Sequence, residues 1–174
     1  MGLSAAISAS LAREFLAVSP EGGAELDPRM AVVTGLGTTS PLGGDVASTW
    51  SALRQSRCAV RRLDGSWTQG FELPVMIAAP LAADPAQQLS PKELRRLDRA
   101  SQCALLAARE AWAQAGSPRV GGERLAVSIS PGMGSVLSVM KAWDDLRERG
   151  PRRVAPTAVP ALMPNAPAAS VGIE

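Results

Sequence analysis

The chain contains no histidine and no tyrosine, and aromatic residues make up only 3% of its 174 positions. Without an imidazole there is no Ser-His-Asp or Cys-His machinery and no histidine metal ligand. With only two cysteines, Cys58 and Cys103, a four-thiolate zinc site is excluded as well. Two such thiols in a chain without a recognisable secretion leader read as reduced side chains, not as a disulfide. The scarcity of aromatics and a net charge of only +2 argue against a nucleic-acid binder, which carries a basic stripe and stacking platforms. Long apolar runs are missing too: none approaches the ~20 residues of a membrane-spanning helix. Met1 to Pro20 lacks a basic leading segment, and Arg13 and Glu14 interrupt its apolar stretch, so it does not read as a signal peptide. The expectation is a cytoplasmic protein with no metal, no cofactor, and neither a nucleic acid nor a membrane as partner.

Hydrophobic residues, in contrast, reach 46%, which is enough for a globular domain. Residues 1–29 are expected to be a poorly ordered extension and residues 30–174 a single domain. Met30 to Gly37 reads as a buried strand ending in a glycine turn. Asp45 is placed to cap a helix to about Ser56, with Val46, Trp50 and Leu53 on one face and Trp50 in the core. Val60, Phe71, Leu73, Val75 and Ile77 suggest short strands, with turns at Gly65 and Gly70. Ser90-Pro91-Lys92-Glu93 has the spacing of a capping box with proline at the first helical position. An alanine-rich helix then runs to about Ala115 and stops at Gly116, with Asp98 able to recap it partway. Ala104, Ala108, Ala111 and Trp112 are its expected packing positions. Arg124 to Ser130 reads as a second buried strand, with Leu125, Val127 and Ile129 inward. After the loop Pro131–Gly134, Ser135 caps a helix that Gly150 and Pro151 end. The alternation of strand and helix gives an α/β layered fold.

Three features are candidates for chemistry. Gly35-Leu36-Gly37 has the first two glycines of a dinucleotide fingerprint. The third glycine and the later ribose-binding acid are missing, so the pair reads as a turn. Cys103 lies mid-helix among Ala104, Leu105 and Leu106, a setting that disfavours thiolate, and reads as structural. Cys58 has Arg57, Arg61 and Arg62 nearby but no base to activate it. Arg95, Arg96, Arg99 and Arg109 form a basic band, either solvated or a docking patch for an acidic partner. Glu174 would sit at the negative end of a terminal helix beginning near Asn165, an unfavourable place for its charge. The sequence looks cut there.

Taken together, several segments resemble the beta-ketoacyl-acyl carrier protein synthases. They are Val32 to Gly43, Ser48 to Trp50 with Leu53, Leu97-Asp98-Arg99 with Gln102 and Ala104, Ala126 to Gly134, and Gly150 to Pro156. Pro160, Asn165 and Ala168 continue the match, and Leu162 to Glu174 looks most like the actinobacterial branch that includes mycolate-pathway enzymes. The resemblance implies a thiolase-like α/β fold, here the N-terminal half-domain of an incomplete αβαβα layered structure. It implies a 3-oxoacyl-acyl carrier protein synthase, condensing an acyl thioester with malonyl-acyl carrier protein in fatty-acid or related lipid synthesis. Partners would be the acyl carrier protein, malonyl-acyl carrier protein, and a second copy or a complete synthase. The family's nucleophilic cysteine, histidines and lysine match no residue here, so no catalytic residue is assigned and the chain alone is expected to be inactive. The alternative is a non-catalytic partner of a complete synthase. The resemblance places Met133 against the acyl pocket. It matches Thr157 and Ala158 to a position pair that is often aromatic in relatives, and of the two it implies a substrate-binding role for Ala158.

Overall fold

The longest helix organises the computed structural model, which describes residues 31–63, 70 and 73–174. This helix, α3, spans Arg99–Gln114. Asp98 caps it by accepting the N–H groups of Ala100 and Ser101. Beyond Gln114, Gly116 takes φ +82°, a conformation open to glycine, and the helix stops. Its buried positions, Ser101, Leu105 and Ala107, join Leu36, Ala52 and Leu89 in a small core.

The remaining elements surround α3. Helix α1, Val46–Arg54, starts at Asp45, whose carboxylate accepts the Ser48 N–H at 2.7 Å and the Ser48 hydroxyl. Those Ser48 bonds hold the Asp45 carboxyl below its ordinary pKa. Strands β1, Arg61–Arg62, and β2, Ile77–Ala78, pair antiparallel with Arg61 opposite Ala78 and Arg62 opposite Ile77. A 3₁₀ turn at Pro85–Gln87 leads to helix α2, Pro91–Arg96, which carries the anticipated capping box between Ser90 and Glu93. Helix α4 spans Val136–Arg149 and ends at Gly150, φ +80°. Helices α5, Ala158–Leu162, and α6, Ala166–Ile173, follow, and α6 lies along α3.

Several expectations are corrected. Residues 31–37 and 125–130 form no strand among the described residues. A strand is defined by its ladder, and no neighbouring segment of the described chain pairs with either stretch. The second keeps the alternation of a strand, with Val127 and Ile129 half-buried between exposed neighbours, whereas Leu125 is exposed. Val32 and Val33 are exposed as well. Trp50 is not a core residue: α1 turns Val46, Thr49 and Ala52 inward, and Trp50 and Leu53 face out. Trp112 is exposed too. The expected extension at 1–29, the strand start at Met30, the turn at Gly65 and Phe71 lie outside the described residues.

Helix α4 is oriented opposite to its composition. Its half-buried positions are Ser135 at the cap, Ser138, Ala142 and Asp145, the last three turned toward α5. Val136, Val139, Met140, Trp143 and Leu146 are exposed.

Candidate functional site

The glycine turn is held by side chains of α3 instead of by a strand. Gln114 Oε1 accepts the Leu36 N–H at 2.6 Å, and Glu110 accepts the Thr38 N–H at 2.9 Å. The other Glu110 oxygen accepts the Val46 N–H at 2.8 Å, bringing negative charge to the start of α1. The Thr39 hydroxyl donates to the Cys103 carbonyl at 3.3 Å. A Cβ on Gly35 or Gly37 would overlap the carbonyl oxygens of Ala111 and Ala107 respectively. Both glycines therefore permit close approach to a helix. Neither has positive φ. Gln114 and Glu110 could have been found from the sequence only as polar interruptions of the inward face of an alanine-rich helix.

Cys103 is half-buried, and burial pushes its thiol pKa up, with the Thr39 side chain opposing. Cys58 is exposed just before β1. Neither cysteine stands at a turn leading into a helix, where backbone N–H groups would stabilise a thiolate.

The basic band divides. Arg99 pairs with Asp84 at 2.7 Å. Arg109 pairs with Glu93 at 2.6 Å and with Glu174 through its Nε at 2.7 Å. That clasp joins α2, α3 and the end of α6, and it compensates the charge of Glu174 that the helix dipole disfavours. Ser90 first, and then Arg109, hold the Glu93 carboxyl down at about 2. Arg95 and Arg96 remain exposed at the end of α2.

The two predicted substrate residues lie on adjoining elements. Met133 is on the loop Pro131–Gly134, and a Cβ on Gly134 would overlap the Leu162 carbonyl oxygen, so this loop packs on the end of α5. Ala158 opens α5 and lines a cavity of about 140 Å³ with Leu97, Ser138, Ala142, Thr157 and Ala161. Met133 is 71% exposed and lies outside that lining. A second cavity of about 280 Å³ lies between α2, α3 and α6, over Leu97, Leu105 and Ile173. Among the described residues no group of His, Cys, Asp and Glu is arranged to hold a metal. None of their helices is long and apolar enough to cross a membrane.

Comparison with known proteins extends this picture. Residues 29–174 match the family model "Beta-ketoacyl synthase, N-terminal domain". The chain is 40% identical over 143 residues to the 3-oxoacyl-[acyl-carrier-protein] synthase 2 of Mycobacterium leprae, covering 82% of this chain and 34% of that protein. The enzyme of the same name from Coxiella burnetii is 34% identical over 157 residues, covering 86% and 36%. The chain thus spans about a third of the length of these relatives. Among solved structures, a beta-ketoacyl synthase from Burkholderia phymatum superimposes with TM-score 0.65 at 28% identity, over 80% of this chain and 35% of that one. A type II PKS ketosynthase in complex with its acyl-carrier protein gives TM-score 0.64 at 19% identity, over 82% and 38%, and supports the fold alone. The helix-rich chain is accordingly a partial α/β fold of the thiolase-like ketosynthase type.

Proposed function

Because this chain belongs to the beta-ketoacyl synthase family through its N-terminal domain, we propose that it is the N-terminal portion of a 3-oxoacyl-acyl carrier protein synthase. The reaction would be decarboxylative condensation of an acyl thioester with malonyl-acyl carrier protein, in cytoplasmic fatty-acid or related lipid synthesis. The observation that carries this reading is 40% identity over 143 residues to a protein of that activity, three times as long as the match. The condensation needs a thiolate to hold the acyl group and donors for the charge that develops on decarboxylation. This chain has no histidine, and its two cysteines are poorly placed. We therefore take the 174 residues to be inactive by themselves. Within a complete enzyme Met133 and Ala158 would contribute to the acyl wall. The exposed guanidinium groups of Arg95 and Arg96 would receive an acidic carrier protein.

The alternative, a non-catalytic partner of a complete synthase, is favoured by one feature, the outward apolar stripe of α4. A second copy or a complete synthase would cover it. The deciding experiment replaces the aligned segment of a mycobacterial 3-oxoacyl-acyl carrier protein synthase 2 with residues 30–174. The expected result is carbon dioxide release from malonyl-acyl carrier protein by the chimera and none above blank by the 174-residue chain. A folded but inactive chimera would overturn the assignment as synthase portion. Turnover by the chain alone would overturn its inactivity.

A further inference from the structure

Helix α2 carries the exposed Arg95 and Arg96, yet none of its six residues is buried. Its end stands between two open spaces, since Arg96 and Leu97 line both cavities described above. The chain is anchored on either side of the helix. Leu89 is buried just before it, and the Gln102 side chain donates to the Leu97 carbonyl just after it at 2.9 Å. Between those anchors, among the described residues, a single side-chain hydrogen bond ties α2 to another element. It runs from Arg109 Nη2 on α3 to Glu93 Oε1 at 2.6 Å. The other Glu93 oxygen is already engaged, accepting the Ser90 N–H at 2.6 Å. The carboxylate is thus fixed to the start of α2 through one oxygen and to α3 through the other. Arg95 and Arg96 follow it within one helical turn.

From this geometry we infer that Arg109 is a positioning residue for carrier-protein docking: through Glu93 it holds α2, and with it Arg95 and Arg96, in one orientation on α3. The inference rests on the reading of Arg95 and Arg96 as the patch that receives the carrier protein. Arg109 belongs to the same basic band in sequence but is not itself offered to a partner, because Glu93 and Glu174 engage its guanidinium. An acidic partner that meets two cations already in place has less to order on binding. Charge counting makes the opposite forecast for one variant. E93Q removes an acid beside the patch, and glutamine can still accept the Ser90 N–H. By charge alone the carrier protein should then bind more tightly. With the hold of Arg109 lost, it should bind more weakly.

The test is binding of the 174-residue chain to immobilised malonyl-acyl carrier protein, measured by surface plasmon resonance at neutral pH and low salt. E93Q and R109Q are each expected to weaken binding by about threefold, within what a partly exposed ion pair can transmit. The double variant should lose no more than either alone, because both break the same contact. R95E/R96E should abolish binding. Far-ultraviolet circular dichroism checks that each variant is folded, and E93Q carries the test alone if R109Q is not. Tighter or unchanged binding by E93Q, or additive losses in the double variant, would overturn the positioning role and leave the docking patch standing. Binding that is indifferent to R95E/R96E, or absent from the unmodified chain, would overturn the patch itself and the inference with it.

Discussion

Gly37 lies so close to Ala107 that a single added methyl group would occupy the position of the Ala107 carbonyl oxygen. The obstacle is helix backbone, which cannot swing aside as a flexible side chain would. Gly37→Ala is expected to cost at least ~1–3 kcal/mol, the usual range for overpacking. Urea unfolding followed by far-ultraviolet circular dichroism measures it, and an unchanged midpoint would refute the close approach.

Glu110 holds two backbone donors at once, the N–H groups of Thr38 and Val46. Glu110→Ala leaves both without their acceptor, at ~1–3 kcal/mol for each one that stays buried. Glu110→Gln retains one acceptor oxygen and should fall between the two. The predicted order of unfolding midpoints is unmodified chain, then Gln, then Ala.

Acid should loosen the α2–α3–α6 clasp. The folded Glu93 carboxyl titrates at about 2, below its ordinary 4.5, because Ser90 and Arg109 favour its charged form. A depressed folded value means a stabilisation fully present above the ordinary value and lost as pH falls from about 4.5 toward 2. Thermal midpoints measured between pH 6 and ~2 should therefore decline less in Glu93→Gln than in the unmodified chain. Parallel declines would remove Glu93 from the account.

The two thiols should separate by accessibility. Cys58 is exposed, whereas burial raises the Cys103 pKa. Iodoacetamide at neutral pH should label Cys58 first, and Cys103→Ser should leave the unfolding midpoint nearly unchanged. Mass spectrometry showing Cys103 modified first would contradict this.

Met133 is the residue on which the acyl reading can be examined directly. In the chimera with a mycobacterial synthase, Met133→Phe should shorten the accepted acyl chain, because extra volume in a packed pocket costs ~1–3 kcal/mol. An unaltered chain-length profile would place Met133 elsewhere.

Helix ends were readable in the sequence because their signals are local. Asp45, Ser90, Asp98 and Ser135 all cap as their spacing to the following residues implies. The strands expected around Val32 and Val127 are not formed among the described residues for the complementary reason: apolar alternation describes a preference, and a ladder needs a second segment. Trp50 and Trp112 face outward because helical periodicity groups residues on a face without fixing where the buried arc is centred: on α1 it runs through Val46, Thr49 and Ala52 and leaves Trp50 outside. The hold of Glu110 on Thr38 and Val46 spans 72 and 64 positions in sequence, beyond any local pattern. Met133 and Ala158 were reached through family resemblance, and their elements adjoin, but composition and spacing gave no sign of either.

Helix α4 reverses the customary map of mutational tolerance. On an ordinary amphipathic helix the large apolar side chains are the costly ones to change and the serines are interchangeable. Here Trp143, Val139 and Leu146 leave 40–57% of their surface exposed, whereas Ser138 and Ala142 line the narrow space against α5. Enlarging either small residue would push the two helices apart, while truncating the tryptophan would leave them in place. The small positions of this helix are thus the ones that set its distance from α5, while Trp143 offers more than half of its surface to whatever the chain meets in assembly.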